Sequence, residues 1–349
     1  MTIAARVSNN LKVLRIPTNA ADSIDYTREL AIVTASIQDP LSRVESLIYS
    51  QLIHRDEEVN QLLLYVSEMG GKRLRPALVL LSAQAVGGID DETIRLAAVV
   101  ELVHTATLVH DDVLDNADTR RHRPTLHRLA DRHSSILVGD WLFTQAYALA
   151  NEGDSTIPGR WIAQAAKQVC EGEIQQNLAI GQSELSLNKY LSILGQKTGS
   201  LCAISCQLGA WSAGGDSELC KTFFDFGWKL GMAFQVHDDW LDYWGSEDRL
   251  GKPIGGDLAS GKRTLPIIRL LDVACDNERA EILDLLSQRT TTAIFQARKL
   301  LDRYQIGEYT RQVARQLSRD AIDLIGSTNT SLGRDYLERL AIAAVERVA

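Results

Sequence analysis

Apolar residues recur along this chain at helical spacing with few interruptions. Val44, Leu47, Ile48 and Leu52 make one such stripe, Leu62, Leu63, Val66 and Met69 the next, and Ile282, Leu285 and Leu286 a later one. The apolar–polar alternation of a half-buried strand is hard to find. Breakers are local: Gly70-Gly71, Gly87-Gly88, the run from Gly153 to Gly159, Gly214-Gly215, and Gly245–Pro266. The pattern predicts a single all-α domain of about ten or more helices joined by short loops. Two stretches, Ile94–Val109 and Phe223–Val236, are apolar over most of their length and read as long, largely buried central helices. A bundle of this kind builds its ligand site between facing helices.

Each of the two central segments ends in nearly the same phrase. Val109-His110-Asp111-Asp112-Val113-Leu114-Asp115 returns as Val236-His237-Asp238-Asp239-Trp240-Leu241-Asp242, with one difference. On a helix the first and last Asp of each phrase share a face, where like charges repel. Acids near a helix C-terminus also oppose the macrodipole. Two solvated acidic helix ends are the plain alternative. A penalty accepted twice, each time behind an apolar helix, points instead to compensating cations, and carboxylate oxygens suit hard divalent ions.

Three basic clusters lie near the acids in sequence. Gly70-Gly71-Lys72-Arg73-Leu74-Arg75-Pro76 ends one helix and begins another, which places its cations beside a helix N-terminus, a ready anion site. Arg120-Arg121-His122-Arg123 follows the first acidic phrase, and Lys252, Lys262 and Arg263 follow the second, within the long irregular segment Gly245–Arg263. A long loop in a compact domain is more often a lid than an accident.

Bulk properties narrow the options. The chain has 349 residues, 45% of them hydrophobic, and a net charge of −8. The charge and the lack of aromatics among the basic clusters argue against nucleic acid as a partner. No uninterrupted apolar run reaches the ~18 residues of a membrane span. Five scattered cysteines suit a reducing, cytoplasmic compartment. The stretch from Arg6 to Arg15 has the acid-poor composition of a targeting segment, but it lacks an apolar signal core and reads as a short disordered tail. Residues 1–40 are therefore set apart as a partly flexible extension and 41–349 as the helical domain.

From about Leu41 onward the chain resembles the trans-isoprenyl diphosphate synthases. The motifs that carry the resemblance are GGKRLRP (Gly70–Pro76), HTATLVHDDVLDNADTRR (His104–Arg121), GQKTGSL (Gly195–Leu201), FQVHDDWLD (Phe234–Asp242) and GKPIGGDLASGKRTLP (Gly251–Pro266). The resemblance implies an isoprenoid-synthase-type helical bundle around a deep central cavity, usually a homodimer. It also implies head-to-tail joining of isopentenyl diphosphate to an allylic diphosphate primer. Carried over by position, Asp111, Asp115, Asp238, Asp239 and Asp242 are metal ligands, for three Mg2+ ions that Mn2+ can replace. Lys72, Arg75, His104 and Arg121 match the isopentenyl diphosphate site. Arg120, Lys197, Thr198, Gln235, Lys252 and Lys262 match the allylic diphosphate site, and Arg120, Lys197, Thr198 and Gln235 act on ionisation there. Charge builds on the departing diphosphate, so metal ions and Lys or Arg stabilise it, more strongly in a dry cavity. By the same analogy the released diphosphate takes the final proton.

The chain departs from the family pattern at His122 and Arg123, where Gly is common after the Arg pair, and at Trp240, where an aliphatic residue is common. Either change is expected to alter loop fit or pocket shape. The growing product is expected to run down the first central helix, past Ala106 and Thr107, then Val103 and Val100. Both first positions are small here, whereas farnesyl-type enzymes carry aromatics there. Trp161 and Ile162 are candidates for a deeper floor. The expected product is about C30 or longer, counting one unit per helix turn, with a C20 geranylgeranyl product as the alternative. A class I terpene cyclase and a non-catalytic regulatory subunit are weaker readings, since both basic sets and all six motif aspartates are present.

Overall fold

The computed structural model describes residues 26–68, 71–182, 185–246 and 254–347. The Arg6–Arg15 stretch, Gly70, Gly251 and Lys252 lie outside the described residues. The chain opens with α1 (Tyr26–Ser36), α2 (Gln38–Gln51), α3 (Glu57–Glu68), α4 (Leu74–Val86) and α5 (Asp91–Leu114). A two-residue hairpin follows, β1 (Thr119–Arg120) against β2 (Arg123–Pro124). Next come α6 (Leu126–Leu129), α7 (Arg132–Ala150), α8 (Ile157–Ala179) and α9 (Leu187–Leu194). A π-turn at Gly195–Gly199 leads into α10 (Ser200–Ser212), followed by α11 (Ser217–Trp244), α12 (Gly256–Ala259) and α13 (Leu265–Val273). The chain closes with α14 (Asp276–Gln288), α15 (Thr291–Arg303), α16 (Ile306–Gly326) and α17 (Leu332–Glu346). The all-α expectation holds, and the hairpin is the one sheet among the described residues.

The two acid-tipped segments are α5 and α11. A capping box starts α5: Thr93 N–H donates to the Asp90 side chain at 2.8 Å, and Asp90 N–H reaches Thr93 Oγ1 at 3.4 Å. Averaged over its polar residues, α5 is long and apolar enough to cross a membrane by length and composition. It is instead a core helix, packed on α2, α4, α7 and α10 with Leu96 through Val100 wholly buried. Asp216 caps α11, accepting from Leu219 N–H at 2.8 Å. Helix α10 packs against both central helices, and α16 covers the far side of α11. The main core surrounds α5, with smaller cores between α11, α13 and α16 and among α13, α14 and α15.

Within the segment set apart as an extension, α1 places Leu30 and Val33 in the main core and packs on α17. The packed core thus begins before residue 40.

Candidate active site

The C-terminal ends of α5 and α11 meet at one mouth, and each acidic phrase splits its side chains between tasks. His110 and His237 face away from the acids. The Nε2 of each donates to a backbone carbonyl, of Ile136 at 3.0 Å and of Arg347 at 2.9 Å respectively. Burial and neighbouring arginines push His237 down to about 3, so its ring is neutral. The repeated His is therefore a tie for the helix end.

Asp111 faces the mouth. Burial, then Glu173 and Asp115, outweigh the cation Lys197 and raise its carboxyl to about 6. Asp112, one residue on and about 100° around the helix, is buried and holds Arg120 at 2.7–2.8 Å. Asp115 accepts Lys262 at 3.2 Å, a contact that joins the loop after α11 to the end of α5. On the second phrase, Asp238 pairs with Arg347. Asp239 is buried and accepts the Tyr190 hydroxyl and, at 3.2 Å, the Gln235 amide. Burial and the nearby Asp257 push the Asp239 carboxyl far above the usual range. Asp242 is also buried and accepts the Asp257 backbone N–H at 3.0 Å.

Two cavities that share no lining residue flank these acids. The first, a cleft of about 30 Å³, is lined by Arg73, Glu101, His104, Asp112, Arg120 and Arg121 among others. Arg75 Nη1 donates to His104 Nε2 at 2.9 Å. Burial and four surrounding arginines hold His104 well below its ordinary range, so it is neutral. Lys72 lies close enough to Asp238, Arg347 and Arg121 to feel all three charges. The structure thus brings together Lys72, Arg75, His104 and Arg121.

The second cavity, about 110 Å³, is lined by Tyr190, Lys197, Thr198, Gln235, Asp239, Asp257 and Lys262 among others. Thr198 Oγ1 donates to Gln235 Oε1 at 3.0 Å, and Lys197 pairs with Glu173 and with Gln176 Oε1 at 2.9 Å. The π-turn sets Lys197 and Thr198 in place, a common use of such turns. Here lie the allylic candidates, with one regrouping. Arg120 belongs to the first cavity, because Asp112 rather than the mouth-facing Asp111 captures its guanidinium. Lys252 lies outside the described residues.

Several site residues escaped the sequence reading. Glu173 and Gln176 are acid and amide breaks on the polar side of α8, a weak signal. Asp257 sits inside a quoted motif but belongs to no DDxxD phrase. Tyr190 and Arg347 reach the acids from distant elements and leave no local trace. Arg73, noted only as part of its cluster, is committed to the buried Glu101 at 2.7 Å. Trp240 lines neither cavity; it stacks between His237 and Trp244 at 5.5 and 6.0 Å, under Arg311. Of the chain-length candidates, Thr107 is half-buried, while Ala106, Val103, Val100 and Ile162 are wholly buried. Trp161 packs edge-on against Trp211, 6.4 Å away.

Acid-tipped helices meeting across a mouth lined by two separate cation sets, in an all-helical bundle, define the isoprenoid-synthase class. The family model for polyprenyl synthetases matches residues 56–302. The chain belongs to that family and is a trans-polyprenyl diphosphate synthase, a prenyltransferase of isoprenoid biosynthesis. It is 33% identical over 327 residues to an octaprenyl diphosphate synthase of Haemophilus influenzae, covering 93% of this chain and 97% of that one. It is 34% identical over 282 residues to a short chain isoprenyl diphosphate synthase of Methanothermobacter thermautotrophicus, covering 80% and 87%. A polyprenyl synthase from Caulobacter crescentus, crystallised with calcium and isoprenyl diphosphate, superposes with a TM-score of 0.87 at 33% identity, covering 95% of this chain and all of that one.

Proposed function

We propose that this enzyme joins isopentenyl diphosphate to an allylic diphosphate head to tail, with Mg2+, to make a product of about C30 or longer by the count of helix turns. The carrying observation is the pair of separate basic cavities that flank one acidic mouth. One diphosphate sits against Lys72, Arg75, His104 and Arg121, the other against Lys197 and Lys262. The neutral His104 donates a hydrogen bond without adding repulsion among the arginines. Thr198 and Gln235, already bonded to each other, direct oxygen dipoles toward the carbon from which the allylic C–O bond breaks.

Among the described residues no group of three or more His, Cys, Asp or Glu is arranged to hold a metal by itself. Mg2+ is commonly held by one or two carboxylates plus substrate phosphates. The donors facing the mouth are all hard oxygens. Asp111 and Asp115 from one side and Asp238 from the other would hold the ions, with Asp239 and Asp242 in support. Asp115 pairs with Lys262 and Asp238 with Arg347, and an ion bound there would take the place of those cations. When bound, the metal stabilises the charge on the leaving diphosphate.

Incubation with labelled isopentenyl diphosphate, an allylic primer and Mg2+ tests the reading. Asp111→Ala and Asp238→Ala should each lose on the order of 10²-fold or more in turnover. Near-normal rates in either, at saturating metal, overturn the assignment.

The partner in solution is a second copy of the chain. The outer faces of α7 and α8 expose Leu137 at 66% and Leu178 at 69%, with Ile136 and Ile174 beside them. Clustered exposed apolar residues mark interfaces. Sedimentation velocity should show a dimer that Leu137→Glu dissociates, and a monomer for the unaltered chain would end this reading. The five cysteines are free, which supports a reducing, cytoplasmic setting.

A further inference from the structure

Lys72 and Arg75 reach the first cavity from the turn that opens α4, and the residue between them in that turn, Arg73, is strained. Its φ is 49°, in the left-handed region that side chains with a Cβ avoid, and no side-chain hydrogen bond caps the helix there. Strain of this kind persists only where the surroundings over-determine it. Here Arg73 Nη1 donates to Glu101 Oε1 at 2.7 Å, and its Nε donates to Glu45 Oε1 at 3.2 Å. One guanidinium thus ties the turn to α5 through Glu101 and to α2 through Glu45. Glu101 stands one turn before His104 on α5, and His104 holds Arg75 at 2.9 Å. Helix α5 therefore grips the start of α4 at two points. On the other side of the turn, Gly71 lets the Arg121 guanidinium lie against the backbone, since a Cβ there would fall 2.9 Å from it. A role in stability alone explains this pair poorly. Buried ion pairs are weak stabilisers compared with well-packed apolar residues. Glu101 is buried, and its second oxygen, Oε2, has no hydrogen-bond partner among the described residues, which adds a desolvation cost.

We propose that Arg73 and Glu101 are positioning residues for the isopentenyl diphosphate site. Their ion pair holds the left-handed turn, and so sets where Lys72 and Arg75 stand relative to His104 and Arg121. Arg73 lines the same cleft, but two carboxylates engage its guanidinium, so it acts on the diphosphate through its neighbours. This role rests on the assignment of the first cavity above.

Thermal unfolding and steady-state kinetics of the full chain test it together. Arg73→Met and Glu101→Leu each leave a charge without its buried partner and should lower the thermal midpoint. The double variant removes both charges, and its midpoint should return to within a few degrees of the unaltered chain, because an apolar replacement of a buried pair is often neutral. Its KM for isopentenyl diphosphate should nevertheless stay raised about tenfold or more, the scale of a displaced binding group. Its KM for the allylic diphosphate should stay within about twofold of the unaltered value. A folded double variant with normal KM for isopentenyl diphosphate would make the pair purely structural and overturn the proposal, as would equal rises in both KM values. Should the double variant not fold, Glu101→Gln carries the same test, since it keeps the shape and an acceptor and removes only the charge. Its KM for isopentenyl diphosphate alone should rise about threefold or more, and an unchanged value overturns the proposal. Arg75→Ala separates the two levels of the argument. If it leaves KM for isopentenyl diphosphate unchanged, the assignment of the cleft falls and the positioning role with it. If it raises that KM while the folded double variant is normal, the positioning role alone falls.

Discussion

The departure at His122 acquires a physical meaning in the hairpin. Arg121 and His122 form its two-residue turn, with φ of 52° and 63°. Two positive φ values in a two-residue loop are those of a type I′ turn, where Gly is favoured and an L side chain is strained. His122 is exposed. Replacing it with Gly should therefore relieve strain, offset in part by the flexibility that Gly adds to the unfolded chain. A net gain of about 0.5–1 kcal/mol follows, a rise of about one to three degrees in the thermal midpoint by calorimetry. A fall would mean that the imidazole makes a compensating contact. At this scale the sequence was legible wherever chemistry repeats. The aspartates stood out because the same phrase occurs twice, and repulsion between like charges needs an explanation. Arg347 and Tyr190 had no such mark: their meaning comes from Asp238 and Asp239, which lie far away in the chain.

The element that most depends on close packing is the π-turn. Helix α8 crosses it at Gly172, where a Cβ would stand 2.6 Å from the Lys197 backbone nitrogen and 3.0 Å from Gln196 Cβ. Backbone cannot yield as a long side chain can, so Gly172→Ala must push the turn or the helix. Overpacking of this kind costs about 1–3 kcal/mol. The same displacement moves Lys197 and Thr198 together. Gly172→Ala should lower the urea midpoint and raise KM for the allylic diphosphate, with little change in KM for isopentenyl diphosphate. Equal effects on both substrates would show that the two cavities are coupled through α8. Helix periodicity made the existence and burial of α5 and α11 readable in advance. The π-turn was not readable, because GQKTG carries no signal that separates it from continued α-helix. Which cavity takes Arg120 depended on a single step around α5, from Asp111 to Asp112, and only packed side chains could show it.

Product length is a property of the whole bundle, because it depends on how far the mouth extends between helices. The proposed path runs down from Asp111 along the flank of α5 where Thr107 is half-buried, beside the packing of α5 with α7 and α8. Its proposed floor is Trp161, which packs against Trp211, and next to Trp211 Ser212 meets Thr93 at 2.9 Å. Thr93 lies eighteen residues before Asp111 on α5, a climb of about 27 Å, or roughly five turns. At one isoprene unit per turn, that depth takes about five units, more than the four of a C20 product. Ala106 and Val103 are fully buried, so a growing chain that reaches them has to displace the packing around α5. The sequence pointed to small residues at the top of this path and to Trp161 as a possible floor, but only the fold supplies its partner Trp211. Thr107→Phe and Ala106→Phe should shorten the product toward C15, and Trp161→Ala should lengthen it, as read by chromatography of the dephosphorylated alcohols. Unchanged products in all three variants would place the path elsewhere. A longer product from Trp161→Ala alone would keep the floor and remove the upper constriction from the mechanism.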